Sequence, residues 1–97
     1  KPTSSKQIVS TVSLYYDLPH DELIGKSREK RLSFPRQIIM YLLREELKSS
    51  YPAIGAELGG RDHTTAMHAC SKISREIEVD PKLKQDIEMI RQRLYNS

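Results

Sequence analysis

Asp62, His63, Thr64 and Thr65 follow directly on Gly59, Gly60 and Arg61, and from Thr64 onward Thr64, His68, Lys72 and Arg75 recur at spacings of four, four and three. Short side chains bearing carboxylate, imidazole and hydroxyl groups could hold a metal, activate a nucleophile or meet the edges of base pairs. The spacing disfavours a metal: His63, His68 and Cys70, five and then two residues apart, do not align on one helical face. Cys70 falls on an apolar face with Ala66 and Ile73, with no adjacent base and no cleft implied, which argues against a nucleophile. Base and phosphate contact remains. Aspartate accepts from a cytosine amino group, and threonine methyls and imidazole edges can touch thymine methyls. The stripe of hydroxyl, imidazole and two cations suits a phosphate-contacting flank, and a helix N-terminus adds partial positive charge and free N–H donors. Asp62 keeps a second reading, as the N-cap of its own helix.

These residues need a frame, and the apolar spacing that would supply it is helical throughout. Ile8, Val9, Val12, Tyr15 and Tyr16 line one face of a first helix, with N-cap oxygens available at Thr3 to Ser5. "LPHDELIG" (18–25) reads as a turn and a short helical piece ended by Gly25, and the aperiodic basic segment 26–33 reads as a loop. Pro35 is expected in the first turn of a third, central helix carrying Phe34, Ile38, Ile39, Leu42, Leu43 and Leu47. Ser50 and Pro52 open a short fourth helix with Ile54 and Leu58 inward. Asp62 caps a fifth with Ala66, Ala69, Cys70, Ile73 and Ile77 buried, and Asp80-Pro81 starts a sixth with Leu83, Ile87, Ile90 and Leu94. Tyr15, Tyr16 and Tyr41 read as core or core-edge residues. A short helix, a turn containing Gly59 in the left-handed conformation, and a longer second helix make a helix-turn-helix over about residues 50–78, whose second helix would place its N-terminal residues in the DNA major groove.

Bulk properties narrow the partners. Ninety-seven residues suit one domain with a modest core, and a start at "KPTSSKQ" without Met leads us to expect a piece of a longer protein. The net charge is only +3, but "GKSREKRLSFPR" (25–36) sets Lys26, Arg28, Lys30, Arg31 and Arg36 against Glu29 alone, so one face suits an anionic partner. The lone Cys70 cannot form an internal disulfide and suits a reducing cytosol. No apolar run approaches membrane-spanning length. A single Phe and no Trp argue against an aromatic platform for single strands.

"GGRDHTTAMHA" closely resembles the signature of the DnaA family of bacterial chromosomal replication initiators, in its C-terminal duplex-DNA-binding domain. "LIGKSREKRLSFPRQIIMYLLRE" (23–45) is similar to that family's basic loop and following helix, and "SYPAIGAELGG" to the stretch before the signature. The resemblance implies base reading by Arg28, inserted into a narrow A·T-rich minor groove, and by Asp62, His63, Thr64 and Thr65 in the major groove. It implies phosphate or sugar contacts at or near Arg36, Gln37, Arg44, Tyr51, Pro52, Thr65, His68 and Lys72, with Lys26, Lys30 and Arg31 as further cations of the loop. Glu29 departs from the family's more continuously basic loop, and Arg44 stands where lysine is frequent. Arg61 could serve phosphate or a local carboxylate. The resemblance also implies an ATP-binding AAA+ module outside these residues, none of whose phosphate-binding motifs occurs in the chain.

The expectation is a single all-α domain over residues 1–97, of about six helices with an embedded helix-turn-helix, non-enzymatic, without cofactor or metal of its own. Its partner would be double-stranded DNA at short A·T-rich origin boxes. It would act as a monomer in the cytoplasm, at the nucleoid, with regulatory proteins able to dock on its outer helices. The rivals are a helix-turn-helix transcription factor, disfavoured by the lack of an evident dimer helix, and a helical adaptor whose basic loop binds an acidic protein.

Overall fold

The side chains that start each helix account for the order of the chain. The computed structural model describes residues 3–96 as α1 (Ser5–Tyr16), α2 (His20–Leu23), α3 (Lys30–Leu47), α4 (Tyr51–Glu57), α5 (His63–Val79) and α6 (Pro81–Tyr95), with no strand among the described residues. Ser4 and Gln7 form a reciprocal capping box on α1, Ser50 accepts from the Ala53 amide, Asp62 from Thr65, and Asp80 from Lys82 and Leu83. Pro52 and Pro81 occupy first-turn positions, where a missing N–H leaves nothing unpaired. The all-α reading and the six helices therefore stand.

Helix α3 departs from expectation in two linked ways. It begins at Lys30, inside the segment 26–33 expected as loop, and Pro35 accordingly lies in its second turn rather than its first. A proline there removes one intrahelical hydrogen bond and crowds the carbonyl of the preceding turn. The opposing force is burial: Leu32 is fully buried in the core, where a leucine contributes roughly 1.5–3 kcal/mol, and only a helical start turns it inward. The loop thus shrinks to residues 25–29.

Helix α3 is central, packing on α1, α2, α4 and α5 with Ile38, Ile39 and Leu42 fully buried. Helix α6 closes the bundle against α1 and α5, burying Leu83, Ile87, Ile90 and Leu94. Tyr15 and Tyr16 sit at the core edge and donate to the buried Asp86 of α6, at 2.6 and 3.4 Å, while Lys82 donates to the same carboxylate at 2.7 Å. Glu46 of α3 plays the matching part further along, accepting from Arg91 at 2.8 Å and from the Tyr95 hydroxyl. One close approach escaped the sequence: a Cβ on Gly55 would fall 2.0 Å from the Arg61 carbonyl oxygen, so only glycine lets α4 touch the turn that follows it.

Candidate nucleic-acid interface

Two segments far apart in sequence meet at the start of α5: the turn Gly59–Asp62 and the loop 25–29. Gly59 takes the left-handed conformation expected of it, with φ +79°, and a Cβ there would lie 2.2 Å from the Gly25 carbonyl oxygen. The glycine is therefore required twice, by its own backbone and by the loop against it.

Arg36 supports the loop from beneath. It was expected at a phosphate, but it is only 4 % exposed, and its guanidinium donates to backbone carbonyls: Nε to Leu23 at 2.9 Å, Nη2 to Glu22 at 2.5 Å and to Gly25 at 3.2 Å, and Nη1 to Ser27. The phosphate assignment is thereby corrected, and a side-chain period explains it. Leu32, Arg36, Ile39 and Leu43 stand four, three and four apart, on one face of α3, so the same pattern that buries the leucines buries the arginine. The period marks Arg36 as inward-facing, although it does not name the carbonyls it meets there.

Arg61 reaches the same loop from the other side. Nη1 donates to Gly25 O at 2.9 Å and to Leu58 O, and Nη2 to Ser27 O at 3.3 Å. These acceptors are backbone carbonyls, neither a phosphate nor a local carboxylate. Burial holds the Arg36 guanidinium below the usual arginine range, with Arg61 adding to the effect; burial likewise lowers Arg61, with Arg28 adding to it. Arg28, Arg61 and Arg36 are thus a series of like charges close enough to oppose one another; none of them forms an ion pair among the described residues, and the Glu22 carboxylate offsets the effect at Arg36 only in part.

Between loop and helix runs an open cleft of about 900 Å³. Five cations line it, Lys26, Arg28, Arg36, Arg61 and Lys72, against Glu29 and Asp62, and Gln37, Thr65 and His68 complete its polar wall. Of the residues singled out from the sequence, it brings together Lys26, Arg28, Arg36, Gln37, Arg61, Asp62, Thr65, His68 and Lys72. Lys72 Nζ donates to Gln37 Oε1 at 3.1 Å and lies 5.6 Å from the centre of the Phe34 ring, so α5 and α3 share that wall.

His63 and Thr64 are exposed at the α5 tip beside the cleft without lining it. The stripe Thr64, His68, Lys72, Arg75 splits accordingly: His68 and Lys72 face the cleft, Thr64 and Arg75 lie on its outer flank. Lys30 and Arg31 stand in the first turn of α3, outside the cleft, where Arg31 is tied to Glu22 and, at 2.8 Å, to Glu29. Arg44, Tyr51 and Pro52 form a separate corner, with the Arg44 guanidinium 4.2 Å over the Tyr51 ring and its Nη1 3.0 Å from Ser49 O. Asp62 caps α5 through Oδ1, 2.8 Å from the Thr65 amide, and the hydrogen bond from that amide keeps its carboxyl below the usual range. Cys70 donates to Met40 O at 3.4 Å, and burial pushes its thiol up to about 11, which disfavours the thiolate a nucleophile would need. No cluster of metal-ligand type occurs among the described residues.

Comparison with known proteins agrees with this arrangement. A family model described as the bacterial dnaA protein helix-turn-helix matches residues 5–73, from α1 into α5. The chain is 44% identical over 97 residues to the chromosomal replication initiator protein DnaA of Roseiflexus castenholzii, covering 100% of the chain and 20% of that protein. It is 48% identical over 91 residues to the protein of that name from Enterococcus faecalis, and 46% over 88 residues to that of Lactococcus lactis subsp. cremoris, covering 94% and 91% of the chain and 20% and 19% of those proteins. The chain therefore spans about a fifth of the length of the relatives it matches. With the match running through the loop, the turn and the start of α5, the chain belongs to the bacterial DnaA helix-turn-helix family.

Proposed function

We propose that this domain binds duplex DNA by sequence, at a short A·T-rich element of a replication origin, and anchors there an initiator whose ATP-binding module lies outside the chain. The observation that carries the reading is the pairing of two reading elements at one cleft. The α5 tip presents Asp62, His63, Thr64 and Thr65 as a helix-turn-helix presents its second helix to a major groove. Beside it the loop presents Arg28, exposed and without an ion pair among the described residues, as a single arginine suited to a narrow, negative minor groove. Lys26 and Lys72 flank these with cations at the cleft walls, where phosphates of the intervening backbone would pass. Arg44, Tyr51 and Pro52 provide a second set of backbone contacts at the start of α4. The domain binds and does not catalyse. It needs no cofactor for this, acts as a monomer in the cytoplasm at the nucleoid, and leaves α6 and the outer side of α1 open to regulatory proteins.

A gel shift with origin duplex against scrambled duplex of equal composition tests the reading. Origin DNA should bind more tightly, and log affinity should fall linearly with log salt, with a slope of about −0.9 per phosphate and on the order of five such contacts. Equal affinity for both duplexes, or a slope near zero, would overturn it in favour of an adaptor.

A further inference from the structure

Arg61 and Arg36 converge on the same two carbonyls. Gly25 O accepts from Arg61 Nη1 at 2.9 Å and from Arg36 Nη2 at 3.2 Å, and Ser27 O accepts from Arg61 Nη2 at 3.3 Å and from Arg36 Nη1. Arg36 belongs to α3, beneath the loop, and Arg61 to the turn of the helix-turn-helix, so the loop backbone is gripped from two elements at once. Gly59 closes the third side, its Cα so near Gly25 O that a Cβ would stand 2.2 Å from it. These contacts hold the chain on the N-terminal side of Arg28, which is one residue beyond Ser27. The guanidinium is planar with a fixed fork of donors, so a pair of them transmits orientation as well as position.

We infer that Arg61, with Arg36, fixes the distance and angle between Arg28 and the tip of α5, and so makes the domain discriminate the spacing between its minor-groove and major-groove contacts. Arg61 is then a positioning residue: it acts through Arg28 and reads no base. The inference rests on the duplex-binding reading above, and it goes further. A domain with a loosely held loop would accept the two sequence elements at several spacings, because Arg28 could follow the groove. With the loop clamped, one inserted base pair moves the flank by about 3.4 Å and turns it by about 35°, which a rigid Arg28 cannot follow.

The test uses four duplexes: core plus A·T-rich flank, the same with one base pair inserted between them, core with a G·C-rich flank, and scrambled. The unaltered domain should bind the correctly spaced site about tenfold more tightly than the inserted one, the inserted site behaving like the G·C-flanked one. In Arg61→Ala the preference for correct spacing should fall to about twofold or less, while preference for core over scrambled DNA persists. Amide exchange reads the clamp without DNA: loop residues 26–29 should exchange faster in Arg61→Ala, with α5 still protected. Gly59→Ala, which pushes on Gly25 from the other side, should loosen both readouts in the same direction. A uniform loss on all four duplexes with the spacing preference kept, together with a shallower salt slope, would make Arg61 a phosphate contact and overturn the inference. Unchanged loop exchange in Arg61→Ala would overturn it too. Failure of the unaltered domain to prefer core over scrambled DNA would instead bring down the duplex-binding reading, and this inference with it.

Discussion

The two sides of the bundle handle buried charge in opposite ways. At the α1–α6 and α3–α6 seams, carboxylates lie inside and cations come to them: Asp86 accepts from Lys82, Tyr15 and Tyr16, and Glu46 from Arg91 and Tyr95. Each of those clusters is close to neutral. At the loop the buried Arg36 and the half-buried Arg61 are cations whose hydrogen bonds go to carbonyl oxygens, which quench hydrogen-bonding capacity without quenching charge. Net positive charge consequently survives at the cleft, while the far side is stitched shut. A modest overall charge of +3 conceals this, because the difference lies in how charge is paired rather than in how much there is.

Arg36→Ala should break the loop side most severely. The carbonyls of Leu23 and Glu22 lose their side-chain donor, whereas Gly25 and Ser27 retain Arg61. Glu22 O keeps the Gly25 amide at 3.2 Å, but the loss of the Leu23 acceptor's donor beside a new cavity is expected to destabilise the domain by about 2–4 kcal/mol, read as a lower urea midpoint. Specific DNA binding should weaken as well, since the loop loses its floor.

Arg28→Ala separates charge kept for a partner from charge used in the fold. The side chain is exposed, so the urea midpoint should not move, yet specific binding should weaken by about 1–3 kcal/mol. That loss should be concentrated on sites with an A·T-rich flank. An equal loss on a G·C-rich flank would reduce Arg28 to a phosphate contact.

How much of this was legible in the sequence follows from the same contrast. Helix starts were readable because capping is local: Ser4, Ser50, Asp62 and Asp80 each bond an amide two or three residues on. The start of α3 was not, since it depends on Leu32 being drawn into a core made by other helices. The α5 tip was legible for the first reason. The roles of Arg36 and Arg61 were not, because their acceptors are loop carbonyls up to 36 residues away and a backbone carbonyl leaves no mark in residue type. Gly55 was equally silent, as its partner is a carbonyl in the next turn.

Asp86→Asn probes the stitched side. It keeps the shape but removes the charge that holds Lys82, and should cost about 1–2 kcal/mol of stability with DNA affinity unchanged. The variant should also alter the acid limb. Burial alone would raise the Asp86 carboxyl, but the hydrogen bonds from Lys82 and Tyr15 outweigh it and hold it below the usual range. A depressed folded-state value means its contribution is present above the unfolded value of about 3.9 and is lost as pH falls below that toward the folded one. Asp86→Asn should therefore flatten the stability profile below about pH 4, measured by thermal unfolding at a series of pH values.

The smallest effect sharpens the comparison within the binding side itself, between reading and gripping. Thr64 and Lys72 lie eight residues apart on α5, about 12 Å along its axis, and Thr64 is exposed at the tip while Lys72 lines the cleft beside Gln37. A threonine is too short to span a groove, but its methyl can touch a thymine methyl. A lysine further along meets backbone instead. Thr64→Ala should then relax discrimination at one base pair by about 1 kcal/mol, with the salt slope unchanged. Lys72→Ala should weaken cognate and scrambled DNA alike and make the slope shallower by about one unit. It should do so although Lys72 also bonds Gln37 and lies 3.8 Å from Glu76, because exposed pairs of this kind hold a lysine only weakly and release it readily to a phosphate. Binding measured across four salt concentrations on matched and single-mismatch duplexes separates the two. A reversed pattern would mean that the outer flank of α5 grips the backbone and the cleft wall reads the bases, which would turn the domain over on the DNA.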